Sequence, residues 1–330
     1  MSVSISPLVH IEVVVPDAEK AYRFLHDAMG AEKVQDEFAA FLDGENARVI
    51  HVGLGDVVLQ FIQPLNQDGS WYEQLRDNGP GVHNLTFTAE DMDQTLAALE
   101  KEGIAPKFSF PLDWASFLGA ENVKPNPHPV YMIDTMEKIG FHLEMTESPL
   151  KVPPSGDPPT RYPTGRDELI GRVSPMLHIE LTVPDVEETC RFLNTVFGSE
   201  RVEKRFADFL DSEFMHIVHV NLGNVVLQYC QPIGETGSWY EQLKNKGPGV
   251  HNITFIVENM DETMAAIERA GARDLFAFPL EWGKLVGEEN LKADVKPVHM
   301  VNTMDLLGFH LELGERPTDE ALDILYVDYS

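Results

Sequence analysis

The chain has 330 residues and carries 54 acidic against 25 basic side chains, a formal charge of −29. That excess argues against a nucleic-acid or anionic-membrane partner, which needs clustered Lys and Arg. With no apolar run of about 18 residues and no signal-peptide pattern, a cytoplasmic protein of two ordinary-sized domains is expected.

In chain order, residues 8–17 (LVHIEVVVPD) alternate as a strand and end on Asp17, placed to cap a helix over 18–29. Ala21, Phe24, Leu25 and Ala28 form that helix's apolar stripe, and Gly30 closes it. Strand patterns follow at about 38–42, 48–54 and 57–63. The segment GSWYEQLRDNGPG (69–81) predicts a short connecting helix, with Ser70 and Glu73 as a capping box. Trp71 and Tyr72 also suit the edge of a pocket. A second strand, 82–91, leads through Asp91 into a helix over 92–102 ended by Gly103, followed by strands near 107–110, 130–135 and 140–146. The unit is therefore βαβββ, written twice by residue 149.

The whole pattern then recurs. Leu8–Glu147 reappears as Met176–Glu315 at a constant offset of 168 residues, that of His178 from His10. The expected domains are 1–149 and 175–315, joined by a Pro- and Gly-rich linker over 150–174 and followed by a tail over 316–330. Cys190 and Cys230 match Tyr22 and Ile62 of the first copy. They read as small buried apolar residues in a reducing compartment, not as a disulfide.

A strand with one buried face should carry apolar side chains there, and each exception needs a partner or a purpose. His10, Gln60, His83 and Glu144 are such exceptions, and they return as His178, Gln228, His251 and Glu312. Two imidazoles, an amide oxygen and a carboxylate suit a divalent ion such as Co²⁺, Mn²⁺, Ni²⁺, Fe²⁺ or Zn²⁺, up to one per domain. With four protein ligands an octahedral ion keeps two positions for substrate oxygens or water.

These residues resemble the vicinal oxygen chelate superfamily (glyoxalase, bleomycin resistance and extradiol dioxygenase proteins). The His–Gln–His–Glu order is most like methylmalonyl-CoA epimerase, and VVLQFIQPLN (57–66) and GPGVHNLTF (79–87) are the most specific matches. The resemblance implies an α+β fold: four βαβββ units forming two glyoxalase-like domains, with curved mixed sheets around metal-site cups. It makes His10, Gln60, His83 and Glu144 the ligands of one ion, and His178, Gln228, His251 and Glu312 those of another. The epimerase pattern has a proton-transferring carboxylate on the hairpin before the Gln. Here a tight turn near 53–56 sets His51 across from Gln60, and His219 faces Gln228 likewise.

Side chains two apart on a strand share a face, so Glu12 accompanies His10, Glu180 accompanies His178, and His142 and His310 accompany Glu144 and Glu312. The catalytic candidates are His51, Glu12 and Glu144, with His219, Glu180 and Glu312 in the second copy. His51 suits a general base. Glu12 suits three roles: orienting His51, acting as an opposite-face base, or hydrogen-bonding a metal ligand. Trp114 and Trp282 suit either a pocket wall or core packing.

The expected activity is that of a metal-dependent isomerase, epimerase or lyase, abstracting a proton beside a chelated carbonyl of a small oxygen-rich substrate. An Fe²⁺ extradiol dioxygenase and a non-enzymatic small-molecule-binding protein of the same fold are the alternatives. A small carbonyl compound is the expected partner, with no nucleic acid or membrane; a homodimer is compatible with the sequence.

Overall fold

The computed structural model describes residues 2–34, 43–151, 169–202, 212–318 and 321. The strand expected at 38–42, most of the linker and nearly all of the tail lie outside these. In the first copy the elements are β1 (His10–Val14), α1 (Ala18–Met29), β2 (Glu32–Lys33), β3 (Ala47–Leu54), β4 (Val57–Pro64), α2 (Ser70–Asp77), β5 (Gly81–Ala89), α3 (Met92–Lys101), β6 (Pro106–Phe110), α4 (Trp114–Leu118), β7 (Val130–Ile133), α5 (Met136–Ile139) and β8 (His142–Glu147). The second copy supplies β9 (His178–Thr182), α6 (Val186–Phe197), β10 (Met215–Leu222), β11 (Val225–Pro232), α7 (Ser238–Lys246), β12 (Gly249–Val257), α8 (Met260–Arg269), β13 (Arg273–Phe278), α9 (Trp282–Val286), β14 (Val298–Asn302), α10 (Met304–Leu307) and β15 (His310–Glu315).

Local chemistry explains the helix ends. Asp17 accepts from the Lys20 amide and Asp91 from that of Gln94, while Gly30 closes α1 in the left-handed conformation. The capping boxes expected at Ser70 and Ser238 do not form. Gly69 and Gly237 occupy the cap positions, so each Ser is the first helical residue, and Ser238 Oγ is buried without a hydrogen-bond partner. Capping requires the hydroxyl one position earlier.

Each copy folds its two units into one mixed sheet, ordered β2-β3-β4-β1-β5-β8-β7-β6 in the first and β10-β11-β9-β12-β15-β14-β13 in the second. The units meet where β1 runs antiparallel to β5, and β9 to β12. Within a unit the first strand runs parallel to the last. The chain is thus α+β, with two glyoxalase-like sheets. On β1, Ile11 and Val13 turn towards α1 and share a core with Phe24 and Leu25, which leaves His10 and Glu12 on the opposite face. That polar face forms the floor of a cup.

The copies pack against each other with the contacts of a two-fold pair. The amide of Leu8 donates to Asn224 Oδ1 at 2.7 Å, and that of Met176 to Asp56 Oδ1 at 2.7 Å. Helix α1 lies against α8, and α6 against α3. One continuous apolar core runs through both copies. At their meeting line Gly308 has φ +78°, and a Cβ there would stand 2.6 Å from the Gly81 amide nitrogen and 2.8 Å from its Cα. Backbone cannot swing aside as a side chain can. Gly308→Ala is therefore expected to cost about 1–3 kcal/mol, read as a lowered denaturation midpoint. An unchanged midpoint would show that the seam between the copies accommodates a Cβ there.

Candidate metal centres

Four adjacent strands build the floor of the first cup. Register places Glu12 beside Gln60 and opposite Asn84, His10 opposite Thr86, Thr86 beside Glu144, and Asn84 beside His142. The hairpin turn at Gly55–Asp56 sets His51 opposite Gln60. His83 reaches this face by a different route. The pairing of β1 with β5 shifts by one residue between Glu12 and Val13, and this bulge turns His83 onto the cup face beside Asn84, although plain alternation would separate them. Its Nδ1 lies 2.9 Å from Glu12 Oε1 and 2.8 Å from Asn84 Oδ1. The same shift between Val250 and Asn252 serves His251.

All the candidate ligands are at least nine-tenths buried except Glu312, which is half-buried. They are satisfied largely by one another. Thr86 Oγ1 lies 2.9 Å from His10 Nε2, accepts from Asn84 and donates to Glu144. Gln60 directs its amide nitrogen at His51 Nε2, 2.6 Å away. In the second cup Gln228 presents its oxygen to His219 Nε2 at 2.9 Å and donates its amide hydrogen to Glu180 Oε2 at 2.7 Å. Thr254 Oγ1 lies 2.9 Å from His178 Nε2, and Asn252 donates to Glu312 Oε2 at 2.8 Å. Trp71 Nε1 donates to Glu12 Oε1 at 2.8 Å, and Trp239 Nε1 to Glu180 Oε1 at 2.5 Å.

Burial keeps the His10 and His178 imidazoles well below the usual histidine range, helped by the neighbouring His51 and His219 rings. His142 and His310 fall to about 4, first through burial and then through His83 and His251. These are neutral imidazoles, the form that binds metals. Glu144 and Glu312 move the other way, to about 8: burial disfavours their charge, and Glu12 or Glu180 beside them repels it.

Among the described residues, no three His, Cys, Asp or Glu side chains surround a common point closely enough to form a ready-made metal cluster. The donor set nevertheless suits a cation. His251 directs Nδ1 at Glu180 Oε1, 3.1 Å away, while its Nε2 is buried without a hydrogen-bond partner. Orienting one ring nitrogen on a carboxylate and leaving the other bare is how proteins prepare a histidine ligand. Two abutting carboxyl groups, one with a raised pKa, likewise form a place where positive charge is favourable.

Each floor opens into a cavity, of about 630 Å³ in the first copy and about 290 Å³ in the second. Glu12, Gln60 and Glu144 line the first; His178, Glu180, Gln228 and Glu312 line the second. His51 and His219 lie behind the Gln side chains and are not among the lining residues. Trp71 and Trp239 are both connector residues and cavity wall, whereas Trp282 lines its cavity and Trp114 does not. Cys190 and Cys230 are buried and form no disulfide. No helix among the described residues is long and apolar enough to cross a membrane.

The profile of the Glyoxalase/Bleomycin resistance protein/Dioxygenase superfamily matches residues 9–110 and again 177–279. The chain belongs to that superfamily. Its curated relatives within the superfamily include mitochondrial methylmalonyl-CoA epimerase of Homo sapiens, 28% identical over 153 residues, covering 46% of this chain and 78% of that protein. Ethylmalonyl-CoA/methylmalonyl-CoA epimerase of Cereibacter sphaeroides is 28% identical over 149 residues, covering 44% and 99%. Among solved structures, a mutant 4-hydroxymandelate synthase from Streptomyces coelicolor superposes with a TM-score of 0.59 at 17% identity, covering 94% of this chain and 92% of that one. The Mn(II)-bound glyoxalase from Novosphingobium aromaticivorans gives 0.54 at 13% identity, covering 96% and 83%. These last two likenesses support the superfamily fold across both copies.

Asn84, Thr86, Asn252 and Thr254 escaped the sequence reading, although they join the ligands to one another. Their signal was present: in HNLTF the polar residues alternate with Leu85 and Phe87. Alternation alone, however, assigns His83 to the apolar set.

Proposed function

We propose that both cups are metal-dependent active sites of an isomerase, epimerase or lyase that moves a proton beside a chelated carbonyl. The observation that carries this reading is the buried His–Gln–His–Glu set, built twice, each time with a further carboxylate lining the cavity. His10, Gln60, His83 and Glu144 would hold one divalent ion, and His178, Gln228, His251 and Glu312 the other. The ion supplies Lewis acidity that makes the neighbouring C–H acidic enough to lose its proton.

The protein's own groups do the rest. Glu12 and Glu180 hold His83 and His251 in orientation, and because they line the cavities they can meet a substrate proton directly. His51 and His219 position the Gln60 and Gln228 amides through their Nε2 atoms. Trp71, Phe108, Phe110 and Met132, with their counterparts in the second cup, give each wall an apolar part that reduces water beside the floor. Lys107 is the one basic residue among the described residues lining the two cavities. This supports a small substrate over a carrier with several phosphates.

The test is metal-dependent deuterium incorporation at Cα in D₂O, followed by proton NMR, with methylmalonyl-CoA and small 2-oxo acids. Glu12→Gln with Glu180→Gln should slow exchange roughly 100-fold or more at saturating metal. Oxygen consumption with a catechol, and no exchange, would replace this reading by the dioxygenase one. Ligand binding unaffected by a chelator, without turnover, would replace it by the binding-protein one.

A further inference from the structure

The two floors match, but the walls above them do not. In the first copy Thr88 and Thr146 lie side by side on β5 and β8; in the second the paired positions on β12 and β15 are Ile256 and Gly314. This exchange is concerted in space. A Cβ on Gly314 would stand 2.8 Å from Ile256 Cδ1 and 3.1 Å from Trp282 Cζ2. The missing side chain is what lets the Trp282 ring lie against the strand. Trp282 is 5% exposed and walls its cavity, while the equivalent Trp114 is half-buried and does not line the first.

The neighbourhood follows suit. Trp282 packs with Leu177, Ile256, Leu285 and Val298 in an apolar cluster around the second cup, separate from the main core. The first cavity, more than twice as large, shares the Trp71, Phe108, Phe110 and Met132 wall with the second but also carries Asn46, Asn66 and Asp68, where the second copy has Phe214, Gly234 and Thr236. Leu275 replaces Lys107 at the matching position. Placing a charged or hydroxylated group against the second wall would strip its water without returning hydrogen bonds, whereas an apolar group gains from the same burial.

We propose that the second cup takes a substrate whose chelating oxygens are followed by an apolar, branched arm lodged against Trp282, and that the first cup, where Thr88 and Thr146 stand in place of this seat, holds the arm more weakly. Ile256 and Gly314 set the preference by seating the Trp282 ring. The proposal rests on the reading of both cups as substrate sites and adds that they serve different substrates.

Calorimetric titration of the full chain, with and without Mn²⁺, tests it with two probes of similar size. These are 4-methyl-2-oxopentanoate, with an isobutyl arm, and 2-oxoglutarate, with a carboxylate at that place. One equivalent of the branched acid should bind per chain, at least tenfold tighter than 2-oxoglutarate binds the second cup. Gly314→Thr should weaken it at least tenfold. Ile256→Thr, which only restores the first copy's residue, should weaken it at least threefold and keeps the test decisive if Gly314→Thr fails to fold. Two equal sites per chain, equal affinity for both probes, no binding, or unchanged affinity in both variants would overturn the proposal. One-site binding without deuterium exchange would instead overturn the proton-transfer reading alone.

Discussion

Replacing Glu144 by Gln is expected to remove one divalent ion per chain, and replacing Glu312 by Gln the other. Each cup draws all its candidate ligands from a single sheet, so the two losses should be independent. Within each set the Glu is the one side chain able to bring a negative charge. Gln keeps its shape and one oxygen but not that charge, and two neutral imidazoles with two amides hold a hard divalent ion weakly. Affinity at the altered cup should fall about 100-fold or more, with the other unchanged. Metal content after gel filtration, measured by plasma mass spectrometry, should read two per chain for the parent, one for each single variant and none for the double. Loss of both ions in one single variant would mean that the cups are coupled, and one ion per parent chain would mean that only one cup binds metal.

The metal-free protein should lose stability as pH rises from about 6.5 to 8. Glu144 and Glu312 ionise near 8 when folded but near 4.5 when unfolded. Between those values the folded state holds protons the unfolded state has released, so folding weakens as pH rises. Each carboxyl contributes about 1.4 kcal/mol per pH unit in that window. His10, His142, His178 and His310 act in the opposite sense, because their folded values are depressed. Their stabilisation is complete above the unfolded histidine value near 6.5 and is lost below it. Stability in chelator should therefore pass through a maximum near neutrality and then decline by a few kcal/mol. Saturating metal should abolish the decline, because an ion displaces the protons. The Glu144→Gln, Glu312→Gln double variant should lack it even in chelator. A parent chain whose melting temperature stays flat from pH 6.5 to 8 in chelator would contradict this account of the carboxyl pairs.

The same carboxyl pairs expose a tension between function and stability. Burying Glu12 beside Glu144 disfavours the folded state unless something positive lies between them. Gln at Glu144 or Glu312 should accordingly raise the stability of the metal-free chain while removing its capacity for metal, a trade common at active sites.

Local patterns along the chain specify the units and their duplication. Strand alternation, the helix stripe of α1 and the Asp and Gly caps are local signals, and they arise within a few residues of the element they specify. The hairpin register that sets His51 opposite Gln60 was legible for the same reason, since a two-residue turn leaves no freedom in pairing. So was the set of polar residues out of place on buried strands, because burial without a partner is costly wherever it occurs.

Long-range pairing was decided only in the folded structure. That the units join within a copy, β1 to β5 and β9 to β12, depends on which strand edges meet, which no local pattern records. The bulge that swings His83 and His251 onto the cup face comes from that pairing, as do the Thr86 and Asn252 links between ligands. The difference between the cups was also hidden. Gly314 in a strand reads as a weak point until the Trp282 ring is seen resting on it, because a side chain's absence acquires meaning only from what fills the space.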